Sequence, residues 1–458
     1  MIDTFIQQEQ QRLNINLHYT LTHEAQDQFS YRADHNNLYV KANNKRSVLY
    51  ALYDYYRNPQ AVSERKVARF ARRGNIYEVI NDTDYLKKQI QWGIEHYHNE
   101  IFFTFFLWDE VKNEIEEALI KRDYEVTLGG HSLKYLLADE IDIHEVDNQN
   151  ISIFKDEKLQ ATIIDKVLQT CKNSPIIKRI SLWPEDLAIN TDDGVEFMQN
   201  YIKFLSRLQK ELVQENLNVE VEHIVYNAGL SWQMLEKPAE LKDNAGLNTL
   251  FAYWGRDYSQ TITNPLDQSQ DRANQALQAW LEITPNLTVL EYYSDVFMQS
   301  ELYPHLTNRI ADDLNYYEKA GVSGILNLCV PYFTGKHFEE LKSVFDYQQA
   351  HQLNNLVYSQ LAFDSSYKLS LTENDQKMLD IYEKTLSYLS HYNQQLFPQR
   401  LTDVDSKTDP VLRKRIIDDL QICLARLQTL SFEAQTLQND LELAILILKK
   451  YLASWQDK

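Results

Sequence analysis

Between about residue 70 and residue 350 the chain repeats one pattern of polarity. A short run of β-branched, aromatic and aliphatic residues is followed by an amphipathic stretch with apolar positions three and four apart. The short runs fall at 74–80, 100–107, 124–128, 177–183, 219–226, 247–253, 287–292 and 324–328. Helical periodicity occupies the intervals, for instance 85–97, 109–122, 195–215, 271–281 and 306–320. Strands alternating with helices in this number are the arithmetic of a (β/α)8 barrel. A doubly wound open sheet also alternates. It usually carries a glycine-rich phosphate turn after an early strand, and neither a G-x-G-x-x-G nor a P-loop occurs here. The predicted fold class is therefore α/β, a TIM barrel.

The flanks have different patterns. Residues 37–42 alternate as a strand does, and 47–56 are apolar at helical spacing, closed by Asn58-Pro59. Beyond the barrel, Thr372 and Asp375 open a helix predicted to run to about Gln394. A long apolar-periodic stretch then covers 411–455, with Leu412, Ile416, Leu420, Leu424 and Leu427 on one stripe. The expected organisation is a small N-terminal α/β lead-in domain at 1–66, a catalytic barrel at 67–355 and a C-terminal helical region at 356–458. The last packs on the barrel or on a second copy, so the C-terminal helices are the candidate surface for a homo-oligomer.

Composition narrows the partners. The 458 residues carry 46 Lys and Arg against 66 Asp and Glu, a net charge of −20. A surface this acidic repels nucleic acid and anionic lipid, so neither is an expected partner. Three widely separated cysteines, Cys171, Cys329 and Cys423, make neither a disulfide framework nor a zinc spacing. The first residues lack a basic start and an apolar core, and no apolar run is long enough to span a bilayer, so a cytoplasmic location is expected. Aromatic residues stand at 12%, with 29 Tyr and 7 Trp. Such side chains offer a sugar both an apolar face and a polar handle, although a Tyr-rich core gives the same count.

In a barrel the chemistry sits where the strands end. Those ends read Trp108-Asp109, Gly129-Gly130-His131, Trp183-Pro184-Glu185-Asp186, Tyr226-Asn227, Tyr253-Trp254-Gly255-Arg256, Glu291-Tyr292 and Asp295. Glu185 and Asp186 follow a Trp-Pro that fixes the turn. A carboxyl beside Trp and a second carboxylate has the raised pKa that a general acid needs. Glu185 is the expected acid and Asp186 the orienting or assisting carboxylate, unless the pair only opens the next helix with acidic residues. Glu291, ending an apolar strand, is the expected second catalytic or hydroxyl-binding carboxylate; two carboxyls facing across a pocket are what glycoside hydrolysis requires. Arg73, His131, Trp183, Asn227, Tyr253, Trp254, Arg256, Tyr292 and Asp295 are expected to line the sugar site, with Trp108 a further stacking candidate. No cofactor and no metal is expected, since His131 has no second ligand at metal spacing on its loop.

These motifs resemble a known group. The lead-in from Asn44 to Asp54 is similar to the small domain before the barrel in hexosaminidases and α-glucuronidases, and Arg72-Arg73-Gly74 opens the barrel much as in those families. Leu182-Trp183-Pro184-Glu185-Asp186 and Glu291-Tyr292-Tyr293 resemble the family of domains of unknown function numbered 4838. Part of that group is glycoside hydrolase family 163, endo-acting β-N-acetylglucosaminidases on N-glycans. That family's fourth-strand motif tends to read Asn-Asp-Gly after the proline, where this chain has Glu185-Asp186-Leu187. The resemblance implies a glycosidase on a glycan or oligosaccharide containing N-acetylhexosamine, with one carboxylate polarising the substrate's own acetamido group as nucleophile. The rival reading is a carbohydrate-binding barrel without chemistry.

Overall fold

The structure is a computed structural model. It describes residues 1–139, 153–185, 194–227, 232–263, 268–302, 304–330, 352–396, 399–402 and 407–456. Near the N-terminus, β1 (Asn16–Leu21), β2 (Gln28–Asp34), β3 (Asn37–Ala42) and β4 (Val62–Val67) form one sheet in the order β1-β3-β2-β4. β1 is parallel to β3, and β2 is antiparallel to both β3 and β4. Leu38, Val40 and Ala42 are buried while Tyr39 and Lys41 face water, the period-2 signature of a half-covered sheet. The covering helix, Lys45–Arg57, starts where the Asn44 side chain accepts from the Ser47 N–H, and it buries Val48 to Tyr53.

β5 (Arg72–Tyr77), β6 (Glu100–Thr104), β7 (Glu125–Gly130), β8 (Ile177–Leu182), β9 (Glu220–Tyr226), β10 (Asn248–Ala252), β11 (Leu287–Asp295) and β12 (Gly324–Val330) close into a parallel barrel. All eight strands stand where the polarity pattern puts them. The second is shorter than expected. The Thr104 hydroxyl accepts from the Leu107 N–H at 3.4 Å and starts the helix Phe105–Lys121, so Trp108 is a buried helical residue and not part of a strand end. The seam between β12 and β5 carries an inserted hydroxyl. Tyr358 Oη lies 2.8 to 3.0 Å from the Ile325 carbonyl and from the N–H and carbonyl of Gly74. Tyr358 belongs to the helix Gln352–Phe363, which runs unbroken across the boundary expected at 355/356.

The N-terminal end of the barrel is filled by charge. Arg72 grips Glu100 with Nε and Nη2, both at 2.7 Å, and reaches Glu222 at 2.5 Å and the Thr288 hydroxyl at 2.9 Å. Arg179 adds a contact to Glu100 at 3.1 Å, and Thr127 donates to the same carboxylate at 2.6 Å. Burial alone raises the Glu100 carboxyl; the two guanidiniums outweigh it and hold the group at about 2.

The C-terminal helices Glu373–Ser387, Tyr392–Leu396, Pro410–Leu427 and Gln435–Gln456 enclose a second apolar cluster, including Leu379, Leu386, Ile416, Leu420, Leu441, Leu448 and Trp455. The single stretch expected over 411–455 is thus two helices. The second begins where Asp375, far back in the chain, accepts from the N–H groups of Glu433 and Ala434 at 2.7 and 3.0 Å. Among the described residues no helix is long and apolar enough to cross a membrane.

Replacing Arg72 by Met leaves Glu100 and Glu222 buried with one cation fewer. The expected loss is about 3–5 kcal/mol, as for other buried pairs broken on one side. It is measured as a fall of several degrees in Tm, against no change for Lys377→Ala in the exposed pair with Glu373.

Candidate active site

The C-terminal end of β8 is held by a convergence of donors on one carbonyl. Trp183 donates its N–H to the Gly130 carbonyl at 3.0 Å and its indole N–H to the Ser181 hydroxyl at 3.0 Å; its ring lies 5.2 Å from that of Phe102. The next carbonyl, that of Pro184, accepts from the Tyr226 hydroxyl at 2.8 Å and from His131 Nδ1 at 2.9 Å. A carbonyl only accepts, so this contact puts a proton on Nδ1 of His131. The proline ring and these two bonds fix the backbone from which Glu185 projects. The Glu185 side chain is 17% exposed, with Oε2 3.9 Å from Lys134 Nζ. Asp186 lies outside the described residues.

Asp295 ends β11 and is buried, with Oδ1 accepting the Phe297 N–H at 2.9 Å. Burial raises its carboxyl to about 7. The N–H groups of Met298 and Phe297 and the charge of Arg400 oppose the rise, and the charge of Glu78 adds to it. Glu78 follows directly on β5. Its carbonyl accepts from the Thr104 hydroxyl at 3.0 Å, and its Oε1 comes within 3.5 Å of the place a Cβ on Gly130 would take. Gly130 has φ +65°, a conformation suited to glycine, and a side chain there would also meet the Thr104 methyl at 2.9 Å.

His131, Trp183 and Glu185 are therefore brought together, and Asp295 stands at the same end of the barrel. Asn227 and Trp254 clamp each other. Asn227 Nδ2 donates to the Trp254 carbonyl at 2.8 Å and its Oδ1 accepts the Trp254 N–H at 2.7 Å, so Asn227 shapes the rim by joining the ends of β9 and β10. Tyr253 is buried, with its hydroxyl accepting from Gln394 of the C-terminal helices at 2.9 Å. Tyr292 is buried on β11, its N–H donating to the Tyr258 hydroxyl at 3.3 Å.

Three expected site residues lie elsewhere. Arg73 is at the opposite, N-terminal end of the barrel. It is wholly buried and paired with Asp27 at 2.7 Å, with further bonds to the carbonyls of Tyr97 and Phe70. Its neighbour Asp27 is held well below the usual carboxylate range, because Arg46 and Arg73 outweigh its burial. Glu291 turns toward the helix Thr307–Ala320. Its carboxylate accepts from Arg256 at 3.0 Å, from the Tyr258 hydroxyl at 2.7 Å and from the Tyr317 hydroxyl. Arg256 is consumed in the same cluster, bidentate to Asp313 at 2.6 and 2.7 Å. Burial raises the Glu291 carboxyl, and Asp313 adds to the rise against the pull of Arg256. These groups fasten the barrel wall to its helix layer.

The sequence reading placed Glu78 along the first strand without giving it a role, and missed Tyr226 as a clamp on Pro184 and Gln394. Glu78 had one signal, a carboxylate directly after an apolar strand. It was hidden because the strand was expected to continue to residue 80. Among the described residues no three His, Cys, Asp or Glu side chains group so as to hold a metal ion.

No curated protein matches the chain. Solved structures do. A β-N-acetylhexosaminidase from Bacteroides fragilis is 13% identical with a TM-score of 0.53, covering 83% of this chain and 88% of its own. A GH138 enzyme targeting pectin rhamnogalacturonan II is 10% identical with a TM-score of 0.58, covering 98% and 67%. A GH20 β-N-acetylhexosaminidase from Streptomyces coelicolor is 10% identical with a TM-score of 0.50, covering 89% and 91%. At these identities the likeness is one of fold. With the barrel, the clamp on Pro184 and the carboxyls at the strand ends in view, residues 184–392 match the model of the family described as "Domain of unknown function (DUF4838)", on a chain with the fold of glycoside hydrolases.

Proposed function

We propose that the protein is a glycoside hydrolase acting on a glycan or oligosaccharide that contains N-acetylhexosamine. One observation carries the reading: Glu185 is presented on a clamped proline turn at the end of β8, and a second carboxyl, Asp295, is buried at the end of β11, three strands further round the barrel. Glu185 protonates the leaving oxygen as general acid. Asp186 orients or polarises the acetamido group of the substrate. Asp295 takes the place across the site that the strand pattern gave to Glu291. His131, Trp183 and Trp254 provide the polar and apolar contacts for the ring. The hexosaminidase barrels whose fold the chain shares support the choice of sugar. The alternative, a sugar-binding barrel without chemistry, is favoured by the engagement of Glu291 alone.

The test is a panel of aryl glycosides: N-acetyl-β-glucosaminide, N-acetyl-β-galactosaminide, α-glucuronide, β-glucoside and β-galactoside. Turnover of an N-acetylhexosaminide is expected, falling about 10²–10⁴-fold in Glu185→Gln with the fold intact. Silence across the panel leaves two options, an endo-acting hydrolase that needs a longer glycan or the binding alternative, and turnover of a longer N-acetylhexosamine-containing oligosaccharide separates them. Glu291→Gln is expected to lower Tm and to leave the pH profile of kcat in place.

Asp295 gives a pH prediction. Its folded pKa of about 7 lies above the usual 3.8, so the folded state holds the proton more tightly than the unfolded one. Its contribution to stability is complete below about pH 4 and is lost as the pH rises through 7. Asp295→Asn, which cannot ionise, is therefore expected to match the parent near pH 3, to gain on it steadily from pH 4 to pH 7, and to exceed it at pH 8 by on the order of 4 kcal/mol, read from thermal or denaturant melts.

A further inference from the structure

The position of Glu78 points to a role in the site that the strand pattern did not give it. Its backbone is fixed by the Thr104 hydroxyl, so the side chain starts from a defined place at the end of β5. From there it passes the end of β6 and reaches β7, where the absent side chain of Gly130 leaves room for Oε1. The neighbours of that spot are the Thr104 methyl and the Phe102 ring, and Phe102 lies against Trp183. Gly130 is also the residue whose carbonyl holds Trp183 in place, and His131 after it holds Pro184. The carboxylate thus lies at the mouth of the barrel beside the platform that presents Glu185. On its other side Asp295 is near enough to feel its charge.

A carboxylate in such a position has only acceptor oxygens, and ring hydroxyls are the donors that a glycan brings. We propose that Glu78 is a sugar-contacting residue whose two carboxylate oxygens accept hydrogen bonds from neighbouring hydroxyls of a ring seated at this mouth of the barrel. This rests on the reading of the rim as a glycan site. It goes beyond it by assigning a third carboxyl to binding, on the first barrel strand.

The test is calorimetric titration of the full chain carrying Glu185→Gln, which keeps the ligand intact. The probes are the methyl β-glycosides of N-acetylglucosamine, N-acetylgalactosamine, glucose and galactose, and methyl α-glucuronide. For the sugar that binds, adding Glu78→Gln is expected to weaken Kd about 10- to 100-fold, the range for a charge-assisted hydrogen bond lost. Tm should not change. The same sugar lacking one of the gripped hydroxyls is expected to bind weakly to the parent and to show little further loss in Glu78→Gln. Glu78→Asp keeps the charge and shortens the reach, and is expected to fall between the two. A Kd within about twofold of the parent in both Glu78 variants overturns the proposal, as does failure of every probe to bind the parent. Glu78-dependent binding in a protein whose wild-type form turns over neither the aryl glycosides nor a longer N-acetylhexosamine-containing oligosaccharide sinks the hydrolase reading and leaves this one standing.

Discussion

The barrel depends on a set of charges held almost entirely out of water. Arg72, Arg179, Glu100 and Glu222 meet inside its N-terminal end, where most barrels place aliphatic layers. Two guanidiniums face the two buried carboxylates, Arg179 also pairs with the more exposed Glu220 at 2.8 Å, and the hydroxyls of Thr127 and Thr288 take up further hydrogen-bonding capacity. An incomplete set would be worse than a greasy plug, because each unpaired charge would bear its full desolvation cost. The network joins β5, β6, β8 and β9 at one level. It therefore fixes the relative height of the strands, and with it the height at which their other ends deliver side chains to the rim.

That arrangement explains what could be read from the sequence and what could not. Strand number and order were legible because buried parallel strands are continuous apolar runs separated by amphipathic helices. The separate tasks of the two adjacent arginines were not. Arg72 and Arg73 are adjacent, and a strand sends adjacent side chains to opposite faces. One enters the barrel network and the other anchors the N-terminal sheet through Asp27. Glu291 misled for a related reason. β11 runs on to Asp295 with a register shift between Glu291 and Ser294, so the carboxyl at the true strand end lies three residues beyond the end expected at 292. The cap on the last helix was illegible in principle, since Asp375 reaches it from 58 positions away.

The C-terminal helices are part of the rim's construction. Glu383 accepts from the Thr307 hydroxyl and the Asn308 N–H, capping the barrel helix that follows β11. Ser390 bonds Asp257 in the loop after β10, and Gln394 bonds Tyr253. Arg400 lies 4.3 Å over the ring of Phe297, two residues beyond Asp295. Loops that would otherwise be free at the strand ends are thus stapled to a second apolar core. A site assembled on loops gains from that the rigidity that precise positioning of a substrate demands.

The hydroxyl in the barrel seam has a consequence for how the chain is made. Tyr358 touches Gly74 across 284 residues of sequence. A ribosome adding about 5–20 residues per second needs roughly 15–60 s to cover that interval. For most of it, until β12 is complete at Val330, β5 has been synthesised and its closing partner has not, so one edge of a growing parallel sheet stays open. The small N-terminal sheet is already complete by then and is tied to the β5 end through Asp27 and Arg73. The start of that open strand is thus anchored before the last strand arrives.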